Sequence, residues 1–488
     1  MAYDVLQTCP LERRSRACCG TVLKFSVMLS YIAYLPGIWI YYLAQNQSLS
    51  KAFIRGYIPI LLLLPDYYRA VTPGLPDPTF NQTASVALFA VFLMKGSPGY
   101  RFSYTDLVVG FYAFAVSYSE YLASGYSDAQ NLMFYELTSV LFPYFFAKSL
   151  VEPFNMRYDF AKSVVLCLCV VFVFNLFENK FGYNLWQAYL GMFFPGQGQG
   201  WITTFRFGLA RAAGPYGHCL VDGVIMAVAY RLQRWLQWSD AWPHKIKQLA
   251  WVPWFTPAQF FTLMILGGVF STLGKGQWLA GIVAAGIVII GRSKKRVMAM
   301  TAVIAVMIFV GIPLLAAFLS YASVGRANAA DDNQETAAYR YELVTEYMDV
   351  AAEHLWWGWG LMKWPEIAGF ESIDNHFLLT YLNHGVIAVT LLIGIIFGMM
   401  GRLIIHGMSR PMTDPPGSSL AFTLAAIYLM YLIAVATVAM MYQSCTVFFI
   451  ITGLSDAYLR TSTWDGDQGG GKAKIAPDTR KFKFLKVL

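Results

Sequence analysis

An all-α polytopic membrane protein is the fold class this sequence predicts, and three observations predict it. The first is composition. Of 488 residues, 57% are hydrophobic and only 13% charged, whereas a soluble domain carries about 25% charged residues. The second is run length: 296–320, 377–400 and 419–440 are apolar stretches long enough to cross about 30 Å of hydrocarbon. The last two have no charged residue in their middle. The third is a charge asymmetry between the connecting segments, which sets orientation in a bilayer.

Taken in order, the apolar segments are 21–44, 56–65, 78–94, 104–123, 131–150, 159–178, 217–233, 254–273, 276–291, 296–320, 377–400, 419–440 and 443–458. The first twenty residues lack the apolar core of a signal peptide, so the spans themselves drive insertion. Basic residues gather in Arg13, Arg14 and Arg16, in Arg231, Arg234, Lys245 and Lys247, in Arg292, Lys294, Lys295 and Arg296, and in Arg402 with Arg410. Lys472, Lys474, Arg480, Lys481, Lys483 and Lys486 add to them in the tail. All are expected on the cytoplasmic side. The opposite face then receives two long segments, 179–216 and 321–376, and residues 321–375 hold ten Asp/Glu against three Lys/Arg.

Nine segments precede the basic loop at 292–296, although an inside N-terminus requires an even number of crossings. The short segment 56–65, flanked by Arg55, Asp66 and Arg69, is therefore read as re-entrant or part of a bent element. That leaves about 12 transmembrane helices: a cytoplasmic segment 1–20, a membrane domain 21–458 and a flexible cytoplasmic tail 459–488 with a Gly run. Within the large outer loop, Tyr339, Leu343, Tyr347 and Val350 recur at helical spacing. They predict an amphipathic helix over 336–355, broken by Gly358 and Gly360 and lying as a cover over the spans.

Cysteines give neither a metal spacing nor a disulfide framework. Cys167 and Cys169 read as packing residues inside an apolar run. Cys18 and Cys19, beside the first basic cluster, could carry a lipid anchor that a spanning protein hardly needs.

Three features of the outer face could carry chemistry. At 372–376, Asp374 or Asn375 is a good N-cap for the following span, and a helix N-terminus favours anions. His376 is expected at the water boundary, able to exchange a proton near neutral pH; His384 reads as structural. Residues 205–218 place Arg206, Arg211 and His218 just before a span. Pairing with lipid headgroups is one reading of these arginines, and a guanidinium clamp on phosphate is the other. Lys275, between Gly274 and Gly276, either snorkels to headgroups or completes a cationic pocket with Arg211 and Arg340. Trp186, Trp201, Trp356, Trp357, Trp359 and Trp364 read mostly as an interfacial belt.

These residues also carry a resemblance. The stretch from Arg340 through Gly358, Trp359 and Gly360 to Asp374, Asn375 and His376, followed by Asn383, His384 and Gly385, resembles the signature region of the O-antigen ligase and Wzy-type O-antigen and exopolysaccharide polymerase superfamily. The segment from Arg211 through Gly214 and Pro215 to His218 resembles that family's Arg-x-x-Gly-Pro element. Residues 271–276 resemble its Thr-x-Ser-Arg-Gly element, with Lys275 where Arg is usual.

The resemblance implies a GT-C-like glycosyltransferase of the bacterial inner membrane with its active site at the periplasmic face. Such an enzyme moves a glycan from undecaprenyl diphosphate to an acceptor hydroxyl, the acceptor being a glycan or lipid-linked glycan. The lipid diphosphate leaves as a stable anion, so fixed cations are needed, and Arg211, Lys275, Arg340 and Arg206 are the candidates. His376 is the candidate base, with Asp374, Asn375 and His218 in support. No acidic cluster with metal-ligand spacing accompanies them, and the expectation is a metal-independent, inverting transfer with no cofactor and no nucleic-acid partner. The Ser-Ile-Asp-Asn-His form favours polymerisation of a surface polysaccharide over ligation to lipid A-core. A transporter or flippase of lipid-linked oligosaccharide is the competing class, although such folds often show repeated halves and none is visible here.

Overall fold

The computed structural model describes residues 28–71, 76–198, 203–243, 256–370, 372–411, 413 and 417–464. The segment 1–20 with Cys18 and Cys19, the tail beyond 464, and Lys245, Lys247 and Trp201 lie outside the described residues. Helices dominate, and each of the thirteen apolar stretches coincides with one, the first from residue 28 onward.

Helix α1 (Leu35–Asn46) turns at Gln47 into α2, which runs from Leu49–Ala52 through a π turn at Phe53–Tyr57 into Ile58–Leu63. Then come α3 (Phe80–Met94), α4 (Tyr104–Ser124) and α5, spanning 126–150 with a π turn at Glu136–Leu141. Next are α6 (Arg157–Phe181), α7 (Cys219–Trp238), α8 (Pro257–Ser271), α9 (Lys275–Arg292) and α10 (Arg296–Ala322). The chain continues with α11 (Asp332–Glu353), α12 (His376–Ser409), α13 (Leu420–Val435) and α14 (Gln443–Trp464). Three of them, α6, α10 and α12, are by length and composition able to cross a membrane, and α3, α8 and α13 are shorter apolar helices. One two-residue hairpin, β1 (Phe205–Arg206) with β2 (Leu209–Ala210), pairs antiparallel. Its turn, Phe207–Gly208, has positive φ at both positions, the geometry that matches the twist of a tight hairpin.

Segment 56–65 proves to be the end of a buried limb. Phe53, Ile54, Tyr57, Ile58, Leu61 and Leu62 all sit in the main core, and α2 forms a hairpin with α1. A re-entrant loop would expose backbone to lipid, whereas a packed helix satisfies it internally. The start of α1 is placed by two contacts. Ser30 Oγ accepts from Val71 N at 3.3 Å, and Ala33 packs with Tyr67, Tyr68, Phe80 and Phe194. Helix α1 therefore begins at the end of the bundle that carries the long loops, not at the basic end as the sequence suggested. Nine helices lead from there to the basic turn at 292–296.

The basic end is cross-linked. Lys148 on α5 pairs with Asp106 on α4 and with Asp456 on α14, the latter at 3.1 Å. Asp456 also meets Arg460 at 3.3 Å and Arg402 on α12 at 3.6 Å. Arg296 donates to the Gly407 and Arg410 carbonyls at 2.9 and 2.6 Å.

At the other end, α11 uses its predicted stripe. Leu343, Tyr347 and Ala351 form a small core with Leu378 and Leu382 of α12 and with Trp364, while Tyr339 and Val350 pack at its edge. Helix α12 is broken at Gly385, whose φ of 73° and ψ of −178° are non-helical. The sequence-predicted span 377–400 is thus two helices in series. At the break, Trp359 N and Gly360 N donate to the Leu382 and Asn383 carbonyls at 2.8 and 3.0 Å, and Val386 N donates to Leu355 O at 2.8 Å. A Cβ on Gly385 would sit 2.2 Å from Trp356 O, and one on Gly358 would sit 2.5 Å from Asn383 C. Two glycines let the loop and the broken helix approach backbone to backbone.

Candidate functional site

The loop 203–218 reaches the bundle over a polar brace on α6. Asn179 Nδ2 donates to Ala210 O at 2.6 Å and to Ser271 O at 2.7 Å, joining this loop to the α8–α9 turn. Glu178 accepts from Ala213 N and Gly214 N, each at 3.1 Å. Asn175 Nδ2 donates to the fully buried Asp222 at 2.6 Å. Polar groups inside a membrane bundle have to be paired, and pairing here fixes the backbone on both sides of Arg211. Sequence reasoning missed these residues. The signal was present, since Asn175, Glu178 and Asn179 lie at i, i+3 and i+4 of one apolar helix, where ionisable and amide side chains mark function.

On this platform the cations converge. Arg206 Nη1 donates to Leu273 O at 2.6 Å, and Arg211 Nε donates to Thr272 O at 3.3 Å. Both guanidiniums are thereby held against the α8–α9 turn that carries Lys275. Burial pulls the Arg211 pKa below its ordinary value; the charges of Arg206 and Arg340 act the same way, while Cys219 and Asp374 oppose them. An arginine remains charged even so. Arg206, Arg340 and Asp374 therefore each stand within electrostatic reach of Arg211, although the four come from three separate stretches of chain.

Arg340, on the edge of the α11 stripe, is half-buried, and its Nε is enclosed with no hydrogen-bond partner among the described residues. Lys275 is exposed at the rim, its Nζ donating to Asn333 Oδ1 at 2.8 Å on the first turn of α11. It thus ties α9 to the covering helix. His218 caps α7, its Nδ1 accepting from Leu220 N at 3.1 Å. Burial first, and the Arg211 charge second, push its pKa down to about 4. The ring is neutral at physiological pH, with its proton on Nε2.

The turn before α12 sorts its neighbours into different environments. Asn375 is the N-cap, accepting from Phe377 N at 3.0 Å and Leu378 N at 3.2 Å. Asp374 accepts from Ser372 Oγ at 3.1 Å and is the member of the turn whose charge reaches Arg211. His376, expected at the water boundary, is 9% exposed. One residue along a helix rotates the side chain by about 100°, which carries it from the solvent edge into the bundle. Thr380 Oγ1 donates to His376 O at 2.7 Å and lies 3.5 Å from Nε2. With the threonine proton used, Nε2 is the weak donor, and Nδ1 keeps a buried lone pair that no described group meets. An unpaired buried acceptor calls for a functional account.

His384 is structural in placement, as read from sequence: its Nδ1 is 2.7 Å from Ser119 Oγ on α4. One residue further along α4, the buried Glu120 accepts from Leu361 N at 2.6 Å and steadies the Gly358–Gly360 loop. The tryptophans mostly pack. Trp186 donates to Leu63 O and Trp359 to Val350 O, Trp364 is buried, and Trp356 is exposed. Cys167 and Cys169 are buried free thiols. Among the described residues no three His, Cys, Asp or Glu side chains gather as metal ligands would.

Arg206 and Arg211 are thus held against the α8–α9 turn, and the charges of Arg340 on α11 and of Asp374 before α12 reach Arg211. Residues 260–393 match the family model described as O-antigen ligase. The matched stretch contains Lys275, Arg340, Asp374, Asn375 and His376; Arg206, Arg211 and His218 precede it. A comparison with curated proteins finds no match.

Proposed function

From a chain that carries an O-antigen ligase region, hence a multi-pass membrane protein of glycosyl-transfer type, we propose a glycan polymerase that uses a lipid diphosphate donor at the periplasmic face of the inner membrane. What supports the proposal is that Arg206, Arg340 and Asp374, from the loop before α7, from α11 and from the turn before α12, each lie within electrostatic reach of Arg211. In the reaction the acceptor oxygen attacks the anomeric carbon of an undecaprenyl-diphosphate glycan, and the bond from that carbon to the diphosphate oxygen breaks. The hydroxyl proton passes to a base. Charge grows on the diphosphate as it leaves, and preorganised arginines stabilise that change without reorganising water. Their planar forks suit phosphate oxygens better than a lysine does.

His376 Nδ1 is the assigned base: a neutral imidazole with an unpartnered lone pair can take one proton. Asp374 is the second candidate, because its charge reaches Arg211. Its carboxylate already accepts from Ser372 Oγ at 3.1 Å, and the first assignment is kept. Lys275 binds Asn333 at the rim and positions the α11 cover. Joining glycan to lipid A-core by the same chemistry is the alternative acceptor choice. Purified protein reconstituted with an undecaprenyl-diphosphate repeat unit should lengthen glycan, and should do so in excess EDTA. Movement of the lipid across the bilayer with no new glycosidic bond would replace the enzyme with a transporter.

A further inference from the structure

The opposite end of the bundle holds a cavity that glycosyl transfer does not use. Lys294, Lys295, Arg296 and Arg410 line an open space of about 650 Å³ where α10 begins and α12 ends, with Met298 and Met408 among its apolar walls. That volume is within the range of about 300–1,000 Å³ for small-ligand sites. Among the described residues no carboxylate lines it. Lys294 and Lys295 are exposed, while Arg296 is fixed by the Gly407 and Arg410 carbonyls and keeps an enclosed Nε with no hydrogen-bond partner among the described residues. One wall opens along α10, where Val297 and Met298 are 64% and 60% exposed and no residue is buried before Ala322.

We propose that this cavity binds the headgroup of an anionic phospholipid from the leaflet on the basic side, with its acyl chains lying along α10. Four cations favour a phosphate with net negative charge, and basic pockets between membrane helices on the cytoplasmic side suit such headgroups. A zwitterionic lipid would place its own ammonium among them. Free phosphate would meet the cations but leave the apolar wall uncovered.

The test is native mass spectrometry of the full-length protein, titrated in detergent with phosphatidylglycerol, cardiolipin or phosphatidylethanolamine. The parent should retain the anionic lipids preferentially. Lys294→Gln with Lys295→Gln, both exposed and outside the candidate site, should weaken that retention roughly ten- to thirtyfold. Lys51→Gln with Arg55→Gln, an equal loss of charge elsewhere, should leave it within about threefold of the parent. Three results would overturn the assignment: equal retention of anionic and zwitterionic lipid, retention unchanged in the Lys294/Lys295 variant, or displacement by millimolar inorganic phosphate.

Discussion

Replacing Gly385 with alanine tests whether the broken helix α12 holds the site together. The φ of 73° with ψ of −178° lies in a region that only glycine adopts readily, and forcing another residue there costs about 1–3 kcal/mol. The new Cβ would also meet Trp356 O at 2.2 Å and Trp357 N at 2.5 Å. Both are backbone atoms, so the 355–360 loop has to move away. Three hydrogen bonds cross that contact, each worth about 0.5–1.5 kcal/mol. Together the effects reach roughly 3–7 kcal/mol, enough to displace the loop and the His376–His384 segment it caps. Gly394→Ala is the control: it lies on the same helix, and a Cβ there meets nothing within 4 Å. Thermal unfolding in detergent and glycan transfer should be measured side by side. The Gly394 variant should match the parent in both, while the Gly385 variant should lose transfer and melt lower. Equal melting and equal transfer in the two variants would refute the reasoning, because the loop contact would then be dispensable.

Four further outcomes are expected. Arg211→Ala should lower transfer by two to three orders of magnitude, the effect of about 2.7–4 kcal/mol for one strong transition-state contact, and Arg211→Lys should recover only part; full activity in the alanine variant would leave that arginine as a lipid anchor. His376→Ala should abolish transfer with donor binding retained, whereas Asp374→Asn should reduce it while leaving a measurable rate; the reverse order would move the base to Asp374. A cysteine at the exposed Glu335 should react with an impermeant thiol reagent in intact cells, above the labelling of the parent, and one at Lys294 only after permeabilisation. His218 has its pKa lowered to about 4 from an ordinary 6.5, so the unfolded chain binds the extra proton between those values and stability should fall as pH drops through that window; His218→Asn, which keeps a capping acceptor, should flatten the melting temperature over the same range.

Much of the fold was legible because lipid imposes a simple rule: each apolar stretch became helical, and the α11 stripe buried Leu343 and Tyr347 and packed Tyr339 and Val350 at their edge. What the sequence could not supply was rotation and partnership. Asp374, Asn375 and His376 are consecutive, yet one faces arginines, one caps a helix and one is buried, and only the direction of α12 decides which. The break at Gly385 was hidden for a related reason. A glycine in an apolar run reads as tolerated in a membrane helix, and only the approach of Trp356 and Trp357 shows why it is required. Lys275 matched the cationic pattern by residue type, but its reach to Asn333 depends on where α11 begins. The brace of Asn175, Glu178 and Asn179 was visible as an anomaly, although its purpose appears only when the carbonyls of Ala210 and Ser271 come to meet it.

Helix α10 has no buried residue from 296 to 321, and the turns at its two ends join it to α9 and lead on to α11. Its 27 residues extend about 40 Å at 1.5 Å each, roughly 10 Å more than the hydrocarbon core of a bilayer. With no buried residue along that length to fix its slope, the slope is expected to follow membrane thickness, a thin bilayer laying the helix over and a thick one standing it upright. Since Ala322 leads through a short link to Asp332, a change in slope raises or lowers the near end of α11, the helix that brings Arg340 to the other arginines. The height of that arginine above the acyl chains thereby becomes a function of lipid chain length, and a series of bilayers differing only in thickness would serve as a physical dial on the geometry of the pocket.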